Sequence, residues 1–127
     1  MQIGALVKLR QNLVRISAKT KIFFQKFLQD AAHSNCDDLL DAELQAASEE
    51  RRFLKYIAPE DVSESAVREN LAYLLLLFHG RRYEESADEV THWHTLFSNI
   101  QQVTTDTSTS WKGVCVALIR HPDFYSY

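Results

Sequence analysis

The sequence predicts an all-α fold: one helical domain over residues 1–127, a bundle of about five helices around a central apolar one. Three observations carry that prediction. Gly and Pro number only 3 and 2 in 127 residues, so tight turns are few and long helices are favoured over many short strands. Apolar residues recur at helical spacing along most of the chain. From Leu71 to Phe78 only Ala72 and Tyr73 interrupt a run of Leu and Phe, so Ser65–Gly80 reads as a central helix apolar, and therefore covered, on every side. That run is too short to cross a bilayer, which takes about 20 residues. At 46% hydrophobic and 24% charged, the composition is globular, and the length suffices for a core without metal or disulfide staples.

Taken in order, the first helix is expected from about Ile3 to Leu28. Leu6, Leu9, Leu13, Ile16, Thr20, Phe23 and Phe27 alternate spacings of three and four, a heptad-like seam with the lysines and arginines mostly off it. Ala31–Asn35 reads as a connection, with Ser34 and Asp37 forming a capping-box pattern. A second helix should then run to about Tyr56 or Ile57, presenting Leu40, Leu44, Ala47 and Leu54 on one face, until Pro59 stops it. Glu60–Ser65 is a short acidic connection. Ser63 or Ser65 can cap the central helix, and Gly80 follows its last turn as a C′ glycine. Ser86-Ala-Asp-Glu89 matches S-x-x-E and opens a fourth helix, about Ala87–Gln102, with Val90, Trp93, Phe97 and Ile100 on one face. Val103–Ser110, polar and hydroxyl-rich, is the one clear loop. A fifth helix follows, about Trp111–Arg120, ended by Pro122. The aromatic tail Asp123–Tyr127 is expected to fold back onto the bundle.

Charge is unevenly spread. Residues 1–29 carry Lys8, Arg10, Arg15, Lys19, Lys21 and Lys26 and no acid, whereas acids dominate from Asp30 to Glu64. A basic helix cancelling against an acidic one explains this, and the acids follow directly in the chain. A basic face for membrane phosphates or nucleic acid, or an organelle presequence, has the same signature. No secretory signal is evident, and a cytoplasmic location is expected. Cys36 and Cys115 form no C-x-x-C, so two reduced, partly buried thiols in a reducing compartment are expected, with a single bridge between them depending on geometry.

No motif supplies a competent catalytic site. There is no P-loop, no G-x-G-x-x-G and no G-x-S-x-G. Glu89-x-x-His92 has the spacing of carboxylate di-metal bundles, with His94 close by and His79 ending the preceding helix, but no second Glu-x-x-His exists. Glu89 is also the third residue of the capping box. Metal or haem binding through Glu89, His92 and His94 is therefore the alternative, and no cofactor and no catalytic residue is assigned. Arg81 and Arg82 could grip a phosphate, although pairing with Glu84, Glu85 or Asp88 accounts for them.

From Asn70 onward the chain runs NLAYLLLLFHGR, then a helix containing Trp93, a polar loop, and WKGVCVALIRHPDFYSY. This order resembles the C-terminal helical region of large secreted bacterial proteins that accompany a c-type cytochrome module, the matching positions being Gly80, Arg81, Leu118, Pro122 and Phe124. The resemblance covers the last half and lacks Cys-x-x-Cys-His. It implies a packing module from a larger ancestor and assigns no catalytic residues. The expectation is a non-enzymatic binding or assembly module, with a protein partner or a second copy of the chain and no nucleic acid. Its contact residues would be Lys8, Arg10, Arg15, Lys19, Lys26, Phe124, Tyr125 and Tyr127, with association of the basic N-terminal helix to a membrane surface as a further alternative.

Overall fold

A computed structural model describes residues 21–125. They form five helices, α1 (Lys21–Gln45), α2 (Glu64–His79), α3 (Asp88–Thr104), α4 (Thr107–Arg120) and α5 (Pro122–Tyr125), with one 3-10 turn at Ser48–Glu50 and, among the described residues, no strand. The all-α bundle is therefore as expected. The helix expected over Ile3–Leu28 lies outside the described residues except for its last turns.

The expected break at Ala31–Asn35 is absent, and α1 runs straight through it. Leu28, Ala32 and Cys36 are fully buried at spacings of four, and Leu39 and Leu40 follow Cys36 by three and four, so one stripe continues across the supposed connection. Asn35 stays helical by donating its side-chain amide to the Ala31 carbonyl one turn back, at 2.8 Å. Asp37, Asp38 and Asp41 are consequently mid-helix, not in a first turn.

Nor does a helix reach Ile57. After Gln45 the chain becomes an irregular strap whose backbone is held by side chains. Glu43, only 2% exposed, accepts the N–H groups of Arg52 at 3.0 Å and of Phe53 and Leu54 at 2.8 Å. Asn70 accepts from Tyr56 N–H and donates to the Phe53 carbonyl, both at 3.1 Å. The Tyr73 hydroxyl donates to the Arg52 carbonyl. Buried backbone polar groups need partners, and here side chains replace the helical ladder. The strap drives Phe53, Leu54 and Ile57 into the core.

Helix α2 matches expectation closely. Gly80 sits at φ 68°, and its N–H returns to the Leu75 and Leu76 carbonyls. Ser63 occupies the N-cap position without a side-chain bond, and Asp61 Oδ1 accepts the Ser63 N–H at 2.8 Å instead. The enclosure of this helix is partial, because Leu76 and Leu77 remain 39% and 40% exposed.

Among the described residues, the helix in contact with all the others is α4, while α1 packs against no helix but α4. The expected loop Val103–Ser110 contracts to two residues. Thr105 takes the left-handed conformation at φ 52°, and Asp106 caps α4 by accepting the Ser108 N–H at 3.1 Å. Ser110 is a buried helical residue donating to Gln101 Oε1 at 2.8 Å. The Ser86–Glu89 capping box does not form, since Ala87 holds the N-cap of α3. Aromatic rings link the layers: Phe97 to Trp111 at 4.8 Å, Trp111 to Phe53 at 6.2 Å, Phe53 to Phe78 at 5.8 Å and Phe78 to Phe124 at 6.0 Å.

The expected reduced thiols are corrected by the structure: Cys36 of α1 and Cys115 of α4 are joined in a disulfide. Spacing along the chain could not show this. The α1 stripe brings Cys36 against the inward face of α4, and Lys112 reinforces the contact, reaching Asp41 at 3.4 Å and Asp37 at 3.7 Å.

Candidate functional site

Two helix ends and one helix start meet at one end of the bundle. Gly80 stops α2 just after His79, and His121 and Pro122 turn the chain from α4 into α5. His79 is only 8% exposed, with Nε2 2.9 Å from the Leu118 carbonyl oxygen. A carbonyl can only accept, so Nε2 carries the hydrogen and Nδ1 is the lone pair of the neutral ring. The ring stacks on His121 at 4.7 Å and meets the edge of Trp93 at 5.7 Å. His121 Nδ1 accepts the Asp123 N–H at 3.0 Å and lies 3.9 Å from Asp123 Oδ2. Arg81 Nε donates to the same Oδ2 at 2.8 Å.

Burial pushes the His79 pKa down, against the opposing pull of the Leu118 hydrogen bond, so the neutral ring is favoured. For Asp123, burial raises the pKa, but the Arg81 hydrogen bond and charge, with the two histidines, bring it below the usual carboxylate value. His79, His121 and Asp123 each offer one metal-ligating atom, all within 4.8 Å of one another.

A second feature lies on the outer side of α2. Tyr73 and Leu77 form one row at i, i+4, and Ala72 and Leu76 form the next. The strap flanks the first row. Tyr56 packs edge-on to Tyr73 at 5.3 Å, and Lys55 Nζ lies 5.5 Å from the centre of each ring. Beside the second row is a shallow hollow lined by Ala72, Arg82, Tyr83, Glu84, Glu85 and Ser86.

The residues singled out from sequence are not brought together. Glu89 accepts the Trp93 indole N–H at 3.3 Å, and His92 is exposed on the same helix. His94 is half-buried and acts on Glu64, whose pKa it helps to lower. Among the described residues the converging set is His79, His121 and Asp123. Of the expected contact residues, Lys26 is exposed and paired with Asp30 at 3.3 Å, and Tyr125 is half-buried. Phe124 is a correction: at 3% exposure it belongs to the core, as the expected folding-back of the tail requires. Lys8, Arg10, Arg15, Lys19 and Tyr127 lie outside the described residues. His121 and Asp123 were missed, although His79 ends α2 just before Gly80 and His121 caps α4 just before Pro122.

No family model, no curated protein and no solved structure matches this chain. Among the described residues, no helix is long and apolar enough to cross a membrane.

Proposed function

We propose that the chain is a non-enzymatic assembly module whose partner is a second copy of itself, docked through the outer face of α2. The observation that carries this reading is the adjacency of exposed Leu76 and Leu77 to Tyr73 and to Tyr56, which is 47% exposed. Contiguous apolar surface of this kind marks an interaction site, whereas isolated exposed leucines do not. The two flanks of the face differ in charge: Lys55 stands on one, and Glu84 and Glu85 outnumber Arg82 on the other. A two-fold axis running along α2 sets the helices parallel and turns the Lys55–Tyr56 flank of each copy onto the Glu84–Glu85 flank of the other.

Sedimentation velocity over a concentration range tests it. The wild type is expected to dimerise, and Leu77→Lys to sediment as a monomer with unchanged helical circular dichroism. Lys55→Glu should weaken the dimer, and adding Glu84→Lys and Glu85→Lys should restore it. A wild type that stays monomeric at every concentration rejects the reading.

The Cys36–Cys115 bond favours an oxidising compartment over the cytoplasm expected from the sequence, because thiols are kept reduced in the cytosol. Alkylation of thiols in cells before lysis tests this: unmodified cysteines support it, and full labelling of both overturns it.

A further inference from the structure

We propose that His79, His121 and Asp123 form a binding site for one Zn2+-class divalent ion at the junction of α2, α4 and α5. The donor set decides the class of ion. Two imidazoles and one carboxylate suit Zn2+ or Co2+, whereas Ca2+ and Mg2+ take oxygen shells. Three protein ligands leave a fourth tetrahedral position for water.

The surroundings match what such a site needs. A ligating histidine usually donates its other ring N–H to a carbonyl or carboxylate, which fixes tautomer and orientation. His79 does this toward Leu118, leaving Nδ1 to coordinate. Packing against Trp93 and His121 holds its ring in place.

The three donors now stand within 4.8 Å of one another, and ligands of one tetrahedral Zn2+ stand about 3.4 Å apart. Closing that difference falls to His121 and Asp123, whose side chains are 37% and 29% exposed at the cap of α4 and in the four-residue α5. His121 coordinates through Nδ1 after releasing the Asp123 N–H, so the Asp123 amide reports binding. Arg81 opposes the ion, because its guanidinium occupies Asp123 Oδ2 at 2.8 Å and adds positive charge. Its removal must tighten binding, which no purely structural role of the Arg81–Asp123 pair would produce.

The test is calorimetric titration of the tag-free wild type with Zn2+, with Co2+ absorption as a second readout. One equivalent should bind, and the Asp123 amide should shift in the NMR spectrum. His121→Ala and Asp123→Asn should each lower affinity by roughly tenfold or more. Arg81→Gln should raise it, and His92→Ala with His94→Ala should leave it unchanged. His121 and Asp123 are partly exposed, so these variants are informative even if His79→Ala fails to fold. Absence of Zn2+ binding by the wild type overturns the proposal. So does binding that survives His121→Ala with Asp123→Asn, or that is lost with His92 and His94. The Leu77→Lys variant should bind equally well, which separates this site from the assembly face.

Discussion

Glu43 shows how one polar side chain on an apolar stripe can redirect a chain. It continues the spacing of Leu28, Ala32, Cys36 and Leu39–Leu40, so its carboxylate is carried into the interior. There it meets the buried backbone N–H groups of Phe53 and Leu54, which would otherwise be orphaned, and the more exposed N–H of Arg52. Charge-assisted hydrogen bonds of this kind are worth more than neutral ones, and leaving buried donors unmade costs about 1–3 kcal/mol each. Glu43→Ala is therefore expected to destabilise the fold by about 3 kcal/mol or more, and Glu43→Gln by less, since an amide oxygen still accepts. Urea unfolding checks both, and a Glu43→Ala midpoint matching wild type would show that the strap does not need this anchor. Trp111 makes the opposite case. Its indole N–H is buried without a hydrogen-bond partner among the described residues. Trp111→Phe should then cost only lost packing, about 1–2 kcal/mol, in the same unfolding assay.

Among the elements, those bounded by explicit chemistry were legible and those bounded by tertiary contacts were not. Gly80 marks the end of α2 because it accepts a positive φ without strain, and the Val90–Trp93–Phe97 face of α3 is a plain 3.6-residue stripe. The continuity of α1 was hidden because its stripe passes through small Ala32 and Cys36. The strap was hidden because its partners, Glu43, Asn70 and Tyr73, are distant in sequence. Val103–Ser110 looked like a loop because hydroxyl residues favour turns, yet Val103 and Thr104 end α3 and Asp106 caps Thr107–Ser110 into the first turn of α4. The candidate metal site was illegible for a related reason: its donors come from two chain segments joined only by the fold. The start of α2 has an acid-sensitive design. Asp61 and Glu64 lie below their ordinary values of 3.8 and 4.5, Asp61 through the Ser63 hydrogen bonds and Glu64 through the Arg68 hydrogen bond, then His94 and Arg68 charge. A carboxyl depressed on folding adds stability above its unfolded pKa, and that contribution disappears as pH falls through the folded value. The first turn of α2 should hence loosen below about pH 4. Amide chemical shifts of Ser63 and Val67 followed by pH should report this, and Asp61→Asn should flatten the Ser63 titration.

On the scale of the whole molecule, attachment is unequal. Among the described residues, helix α4 touches every other helix, whereas α1 touches no helix but α4, aided by the Lys112 ion pairs and by the grip of Glu43 on the strap. The disulfide lies on that single seam and bridges 79 positions of chain. Closing a loop of that size removes unfolded-state entropy worth about 4–5 kcal/mol in the chain-entropy model, a large fraction of the roughly 5–15 kcal/mol that holds a domain together. Reduction should therefore act unevenly. In the reduced protein, or in Cys36→Ala with Cys115→Ala, amide exchange should accelerate first along α1, while α2, α3 and α4 keep protection because the Phe97–Trp111–Phe53–Phe78 contacts persist. The unfolding midpoint should fall in the same samples. Uniform loss of protection across all helices would instead mean that α1 is part of one cooperative core, and an unchanged midpoint would mean that the seam holds without the bond. Dimerisation through α2 should be indifferent to reduction as long as α2 and the Glu43-anchored strap that flanks its outer face stay folded, because the disulfide itself lies on the α1–α4 seam. Sedimentation with and without reductant thus separates the bond that holds the monomer together from the surface proposed to join two copies.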